Sequence, residues 1–295
     1  EENMKIKKIF IFAMFCLCAC GCARSEISSG EPLEYMEGME HLIEGNTMGY
    51  YFSVYPEETP GELRLDSWNE QLKFMVESAG DKRQFAVYFL CDYQQIPVVI
   101  DGVSYDRFYV GVNGNFSKVY SFALAQEPEP GKVHKLTAVM TAYSDVLMAE
   151  QKEIVVSSKD SLILNFNLHI ADPKDMASLA VESVEADMLY DSAGAGILLN
   201  TYTDELISKI PEKEVHVQSG EELTLQYHAG AYENNDFLMF VTAGYMQMKL
   251  NGQEFLYFSG LPAKKMAAGY CQASKLVSEC GLQEVVFIDR KMVCV

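Results

Sequence analysis

After Gly45 the chain settles into short apolar runs broken by Gly, Asn, Asp and Pro, a pattern of strands and turns. Leu72-Lys73-Phe74-Met75-Val76-Glu77 alternates in part, which suits a strand with one face in water. Phe85 to Leu90 is unbroken apolar sequence and suits a central strand. Pro128 and Pro130 ahead of Gly131 mark a loop, and His134 to Tyr143 reads as the strand it enters. Helical spacing shows in two places. Leu33 to Glu44 puts Tyr35, Met39 and Leu42 on one side before Gly45. Met266 to Cys280 puts Met266, Tyr270, Ala273, Val277 and Cys280 on one stripe before Gly281, so both segments are predicted as helices stopped by a glycine.

Sliding the chain against itself exposes an internal similarity between Leu63 to Gly102 and Val215 to Gly252. Leu72 to Phe85 spans 13 positions against 14 from Leu223 to Phe237, and Phe85 to Gly102 spans 17 against 15 from Phe237 to Gly252. Both stretches end in a hairpin dipeptide, Asp101-Gly102 and Asn251-Gly252, whose residue types accept positive φ at both positions. Gly131 and Gly281 follow, each 29 residues further on, and each precedes an apolar strand, His134 to Tyr143 and Leu282 to Asp289. Two tandem modules are the consequence, each with several short strands separated by turn signals, as in an antiparallel sandwich.

The N-terminus carries an address. Lys5, Lys7 and Lys8 precede the uncharged run Ile9 to Ala19, the positive and apolar regions of a signal peptide. Eleven helical residues cover about 16 Å, roughly half of a ~30 Å hydrocarbon core, so the run is too short for a permanent span. Glu1-Glu2-Asn3 sit ahead of Met4, where two acids make little sense for a secretion signal, and are expected to lie upstream of the real start. Leu17-Cys18-Ala19-Cys20 resembles the lipobox of bacterial lipoproteins. That resemblance implies cleavage after Ala19 and lipidation of Cys20, with Cys22 as a lower-ranked alternative. Diacylation supplies the two chains that stable anchoring needs.

The 295 residues are 49% hydrophobic, ample for a core, and their length fits two domains or one large β-domain. With 23 basic and 42 acidic side chains the formal charge is −19, which disfavours nucleic acid as a partner. The whole pattern is similar to the immunoglobulin-like β-sandwich modules common in extracytoplasmic bacterial proteins. The expected organisation is a signal peptide (1–19), a lipidated N-terminus and tether (20–46), a first module (47–170), a linker with a short helix (171–190) and a second module (191–295). The expected fold is mainly β, two tandem antiparallel β-sandwich domains. Such modules are mostly non-catalytic.

Chemistry is sparse. His41, His134, His169, His216 and His228 show no His-Glu-x-x-His spacing, and no Cys-x-x-Cys pair occurs beyond the signal region, so neither a metal site nor a cofactor is expected. His134, His169, His216 and His228 fall on predicted strands as surface or capped imidazoles. There is no Gly-x-Ser-x-Gly elbow, and Gly194-Ala195-Gly196 is a turn ahead of a strand. Cys91 reads as a buried thiol. Cys294 is expected to pair with Cys271 or Cys280 if a tight hairpin around Asp289 and Arg290 returns the chain, because Cys271 and Cys280 would lie about 13 Å apart along one helix. Trp68, Tyr105 and Tyr109 are the aromatic residues expected on an exposed recognition surface.

The function expected from these features is a non-enzymatic, lipid-anchored binding module at the cell envelope, directed at a polysaccharide or another surface protein. Its membrane contact is the N-terminal lipid. The alternatives are a solute-binding lipoprotein of a transporter, disfavoured by the lack of alternating strand and helix patterns, and an envelope hydrolase whose acids are hidden among many.

Overall fold

The computed structural model describes residues 28–29, 49–55, 59–79, 83–112, 114–143, 161–192, 196–201, 223–230, 234–243, 245–273 and 285–292. The signal run, Cys20, the 33–44 segment, His41, His216, Cys280 and Cys294 lie outside them. Among the described residues the chain is mainly β, in several sheets, with no helix. The first strands are β1 (Ser28–Ser29), β2 (Gly49–Tyr55), β3 (Glu62–Leu65), β4 (Leu72–Ala79), β5 (Arg83–Cys91), β6 (Gln94–Ile96) and β7 (Val98–Ile100). Then come β8 (Val103–Tyr105), β9 (Phe108–Val112), β10 (Phe116–Leu124), β11 (Lys132–Tyr143), β12 (Ser161–Ile170) and β13 (Asp175–Met176). The remainder are β14 (Met188–Asp191), β15 (Gly196–Thr201), β16 (Leu223–Gly230), β17 (Asn235–Ala243), β18 (Met246–Met248), β19 (Leu256–Leu261), β20 (Lys265–Ala273) and β21 (Val285–Met292).

One eight-stranded sheet runs β1-β9-β5-β11-β12-β3, with β6 and β13 alongside β5 and β11; a five-stranded sheet runs β2-β4-β10-β7-β8. Phe85, Val87 and Phe89 of the larger sheet meet Phe74 and Phe122 of the smaller one in a first core. Removing each such side chain from water contributes about 1.5–3 kcal/mol. Two four-stranded sheets, β14-β20-β16-β15 and β17 with β18, β19 and β21, enclose a second core around Tyr227, Phe237, Met239 and Phe258.

The pairing pattern recurs between the halves. β5 pairs antiparallel with β6, β9 and β11; β17 pairs antiparallel with β18, β19 and β21. β4 lies between β2 and β10 as β16 lies between β15 and β20. The hairpin dipeptides sit at φ 50 and 79 for Asp101-Gly102 and φ 52 and 82 for Asn251-Gly252, as their residue types foretold.

A third apolar cluster joins the halves. Ala86, Tyr88 and Leu90, on the face of β5 turned away from the first core, pack with Leu238 and Phe240 of β17 and with Tyr245 and Phe255. Both faces of these two strands are buried, which is why Phe85 to Leu90 and Phe237 to Val241 read as unbroken apolar runs. The segment expected as a linker is strapped to both halves: β13 pairs with β11, Leu179 and Val181 pack on the shared cluster, and β14 pairs with β20. No helix forms there.

Two further expectations are overturned. The predicted helix at Met266 is strand β20, held between β14 and β16. Met266 to Gly269 are consecutively buried, and a strand covered on both faces loses the alternation that would have marked it. Gly269 also betrays the strand: a Cβ there would lie 2.5 Å from the Tyr227 hydroxyl, so only glycine fits against that ring. The hairpin around Asp289 and Arg290 is absent too, because β21 runs straight through both, paired with β17. Cys91 and Cys271 are buried free thiols.

Candidate functional site

The most concentrated chemistry lies where β5 turns into β6. Cys91 pairs with Gln94 across a two-residue loop, Asp92-Tyr93, with φ 49 and 66, the twist that suits a tight hairpin. Asp is among the few residues that tolerate this region, because its carboxylate can bond locally. Here it bonds to β11. The Asp92 N–H donates to the Lys135 carbonyl (2.8 Å), and Asp92 Oδ1 accepts the Lys135 N–H (2.9 Å). Asp92 Oδ2 lies 2.7 Å from His134 Nδ1, and His134 Nε2 lies 2.8 Å from the Glu129 carbonyl.

His134 is 1% exposed, and its two ring nitrogens face the Asp92 carboxylate and the Glu129 carbonyl. The Asp92 hydrogen bond raises its pKa above the usual imidazole range, outweighing the opposing effect of burial. Cys91 completes the cluster, with its sulfur, an Asp92 oxygen and a His134 nitrogen all within 4.8 Å of one another. Burial first, and the Asp92 charge second, push its thiol up to about 12. What the three groups share is convergent nitrogen, oxygen and sulfur donors.

Two further polar groups lie elsewhere. On the eight-stranded sheet, Glu62 accepts from Asn167 Nδ2 (2.6 Å) and meets His169 Nε2 (2.5 Å), while Lys135 Nζ donates to Asn167 Oδ1 (2.5 Å). Burial would raise the Glu62 pKa, but the bonds from Asn167 and His169 prevail and hold it below the usual carboxylate range. In the second half, His228 Nδ1 meets the Tyr190 hydroxyl (2.8 Å) and its Nε2 meets Gln226 Nε2 (3.2 Å), with burial lowering its pKa.

A reciprocal clasp spans the two halves. Gln95 N–H donates to Gln247 Oε1 (2.6 Å) and Gln247 N–H donates to Gln95 Oε1 (2.5 Å). Gln95 Nε2 donates to the Tyr245 carbonyl (3.0 Å), and Gln247 Nε2 to the Tyr93 carbonyl (2.8 Å). Each glutamine does to its partner's half what the partner does to its own, the pattern of an isologous interface within one chain.

The aromatic residues expected on an exposed surface are each partly buried. Trp68 and Tyr105 are half-buried against the first core, and Tyr109 packs on the shared cluster 6.1 Å from the Tyr245 ring, with Arg107 5.8 Å over its own ring. Sequence reasoning missed the Cys91, Asp92 and His134 cluster, because 42 residues separate its carboxylate from its imidazole and no short motif joins them. It also missed the clasp. The signal was present in the internal similarity: Gln95 and Gln247 are 152 residues apart, as are Tyr93 and Tyr245, and Phe85 and Phe237.

No protein-family model matches the chain, and no curated protein matches it. Among solved structures it is similar to the secreted serine protease VesC from Vibrio cholerae, at 11% identity and a TM-score of 0.21, covering 81% of this chain and 50% of that one. It is also similar to a salicylate 1,2-dioxygenase from Pseudoaminobacter salicylatoxidans, at 9% identity and a TM-score of 0.12, covering 75% of this chain and 68% of that one. The chain thus spans half the length of the protease, and similarities this remote carry no argument about fold or activity.

Proposed function

We propose that the chain is a membrane-anchored extracytoplasmic lipoprotein whose two immunoglobulin-like sandwiches form a non-enzymatic binding platform at the bacterial cell envelope. The observation that carries this reading is how the described histidines are engaged. His134 lies between two acceptors, His228 between Tyr190 and Gln226, and His169 on Glu62. The thiols of Cys91 and Cys271 are each pushed up to about 12 by burial. Such groups stabilise a scaffold and are poorly placed to move protons for a substrate. The anchoring half of the proposal rests on the lipobox resemblance at Leu17-Cys18-Ala19-Cys20.

The surface best suited to contact is the outer face of the five-stranded sheet. On its edge strand β2, Tyr51 and Tyr55 are 47% and 37% exposed, and Val119 on β10 shares their face at 43%. Tyrosine offers broad contact area at low entropic cost. Residues 23 to 295 are incubated with purified cell wall, a polysaccharide panel and detergent-solubilised envelope protein, and turnover is followed in parallel. The expected result is retention on one of these without turnover, reduced about tenfold by Tyr51→Ala with Tyr55→Ala, a loss near 1.4 kcal/mol. Turnover of a retained glycan abolished by replacing one carboxylate would make the chain a hydrolase instead. Labelling with a radioactive fatty acid, lost in Cys20→Ala, tests the anchor.

A further inference from the structure

The second half places Tyr245 at φ 65, matching Tyr93 at φ 66, and its sequence has Ala243 and Gly244 where the first half has Cys91 and Asp92. The thiol and the carboxylate at these positions belong to the first half alone. In the first half both are present, and β11 brings a buried imidazole to meet them.

We propose that Cys91 Sγ, Asp92 Oδ2 and His134 Nδ1 bind one zinc ion. Tetrahedral zinc, at about 2.3 Å from sulfur and about 2.0 Å from nitrogen and oxygen, asks for donors roughly 3.3–3.6 Å apart. The three donors here lie within 4.8 Å of one another, the nitrogen and oxygen at 2.7 Å, so small side-chain rotations suffice. The supporting bonds are those a metal ligand needs. His134 Nε2–H donates to the Glu129 carbonyl and leaves Nδ1 to face the ion, while the Lys135 N–H holds the other Asp92 oxygen. Thiolate and imidazole select zinc over magnesium or calcium.

With zinc the cluster holds a carboxylate, a neutral imidazole, a thiolate and the dication, a net charge of zero, and any proton on sulfur or on Nδ1 passes to solvent as the metal enters. Access runs past Asp92, whose side chain is 35% exposed while that of His134 is 2%. Three protein ligands leave a fourth position for water.

The test uses the full chain purified in detergent, stripped with a chelator and titrated with Zn²⁺ against a chelating dye, and with Co²⁺ as a spectroscopic substitute. The expected result is one zinc per chain and a near-ultraviolet thiolate-to-cobalt charge-transfer band. Cys91→Ser should abolish that band and weaken zinc at least tenfold, and Asp92→Asn should weaken zinc while keeping the band. Cys271→Ser, a buried thiol in the second core, should change neither. His134→Gln is read only with a circular-dichroism check of folding, since the two milder variants carry the conclusion. The proposal is overturned if no stoichiometric zinc is held, or if the band and affinity survive in Cys91→Ser, which would place the metal on other thiols.

Discussion

Tyr93 and Tyr245 stand at matching positions in two hairpins that meet at the centre of the molecule, with φ 66 and 65. Around them the halves repeat several of their contacts. Gln95 and Gln247 exchange the same pair of hydrogen bonds, and β5 and β17 contribute their outward faces to one apolar cluster. One step back along each chain the agreement ends, at Cys91-Asp92 on one side and Ala243-Gly244 on the other. Reciprocal contact constrains both partners at once, since a change in either glutamine orphans backbone groups of the other half.

The strongest way to break this comparison is through the matched core residues Phe85 and Phe237, 0% and 1% exposed. Phe85→Ala and Phe237→Ala should each cost about 3–5 kcal/mol. Trp68, the single tryptophan, packs on the first core, so its fluorescence reports that half, while circular dichroism reports both. If the shared cluster couples the halves, Phe237→Ala moves the Trp68 denaturation midpoint as well. A Trp68 transition that ignores Phe237→Ala would mean two independent units joined by a strap.

The clasp comes next. Gln95→Ala and Gln247→Ala should cost similar amounts, about 1–3 kcal/mol each, because each strands a backbone N–H and a carbonyl of the other half. In a double-mutant cycle by urea denaturation, the pair together should cost clearly less than the sum of the two. Strict additivity would show that the two glutamines act separately.

The smallest effect is a difference in sign. The His134 pKa is raised in the folded state, chiefly by its bond to Asp92. Its stabilisation is therefore present in full below the unfolded value of about 6.5 and is lost as pH rises through the raised folded value. The groups facing it are the Asp92 carboxylate, the Glu129 carbonyl and the neutral Cys91 thiol. The His228 pKa is lowered by burial, so the unfolded chain takes up its proton first and stability falls as pH drops below about 6.5. Its neighbours are the uncharged Tyr190 and Gln226. Thermal midpoints between pH 5 and 8 should show His228→Gln gaining relative to the parent on the acid side. His134→Gln should lose most on that same side, and parallel curves for the two would remove the contrast.

Local chemistry alone determined a good part of this protein. Short apolar runs and turn residues specified a β structure, and Asp101-Gly102 and Asn251-Gly252 specified positive-φ turns. These are legible because each depends on residues close together in the chain. Tertiary structure alone decided the rest. Met266 to Ala273, the described part of a strip that spaces its apolar residues like a helix, lies in strand β20, because β14 and β16 supply partners on both sides and Tyr227 leaves room only for Gly269. Trp68, Tyr105 and Tyr109 went to core edges and the joint between halves. The imidazole of His134 meets the carboxylate of Asp92 only because β11 pairs with β5, and Gln95 meets Gln247 only because two apolar faces close on each other. Contacts between distant residues depend on how sheets stack, and no window of sequence contains both partners.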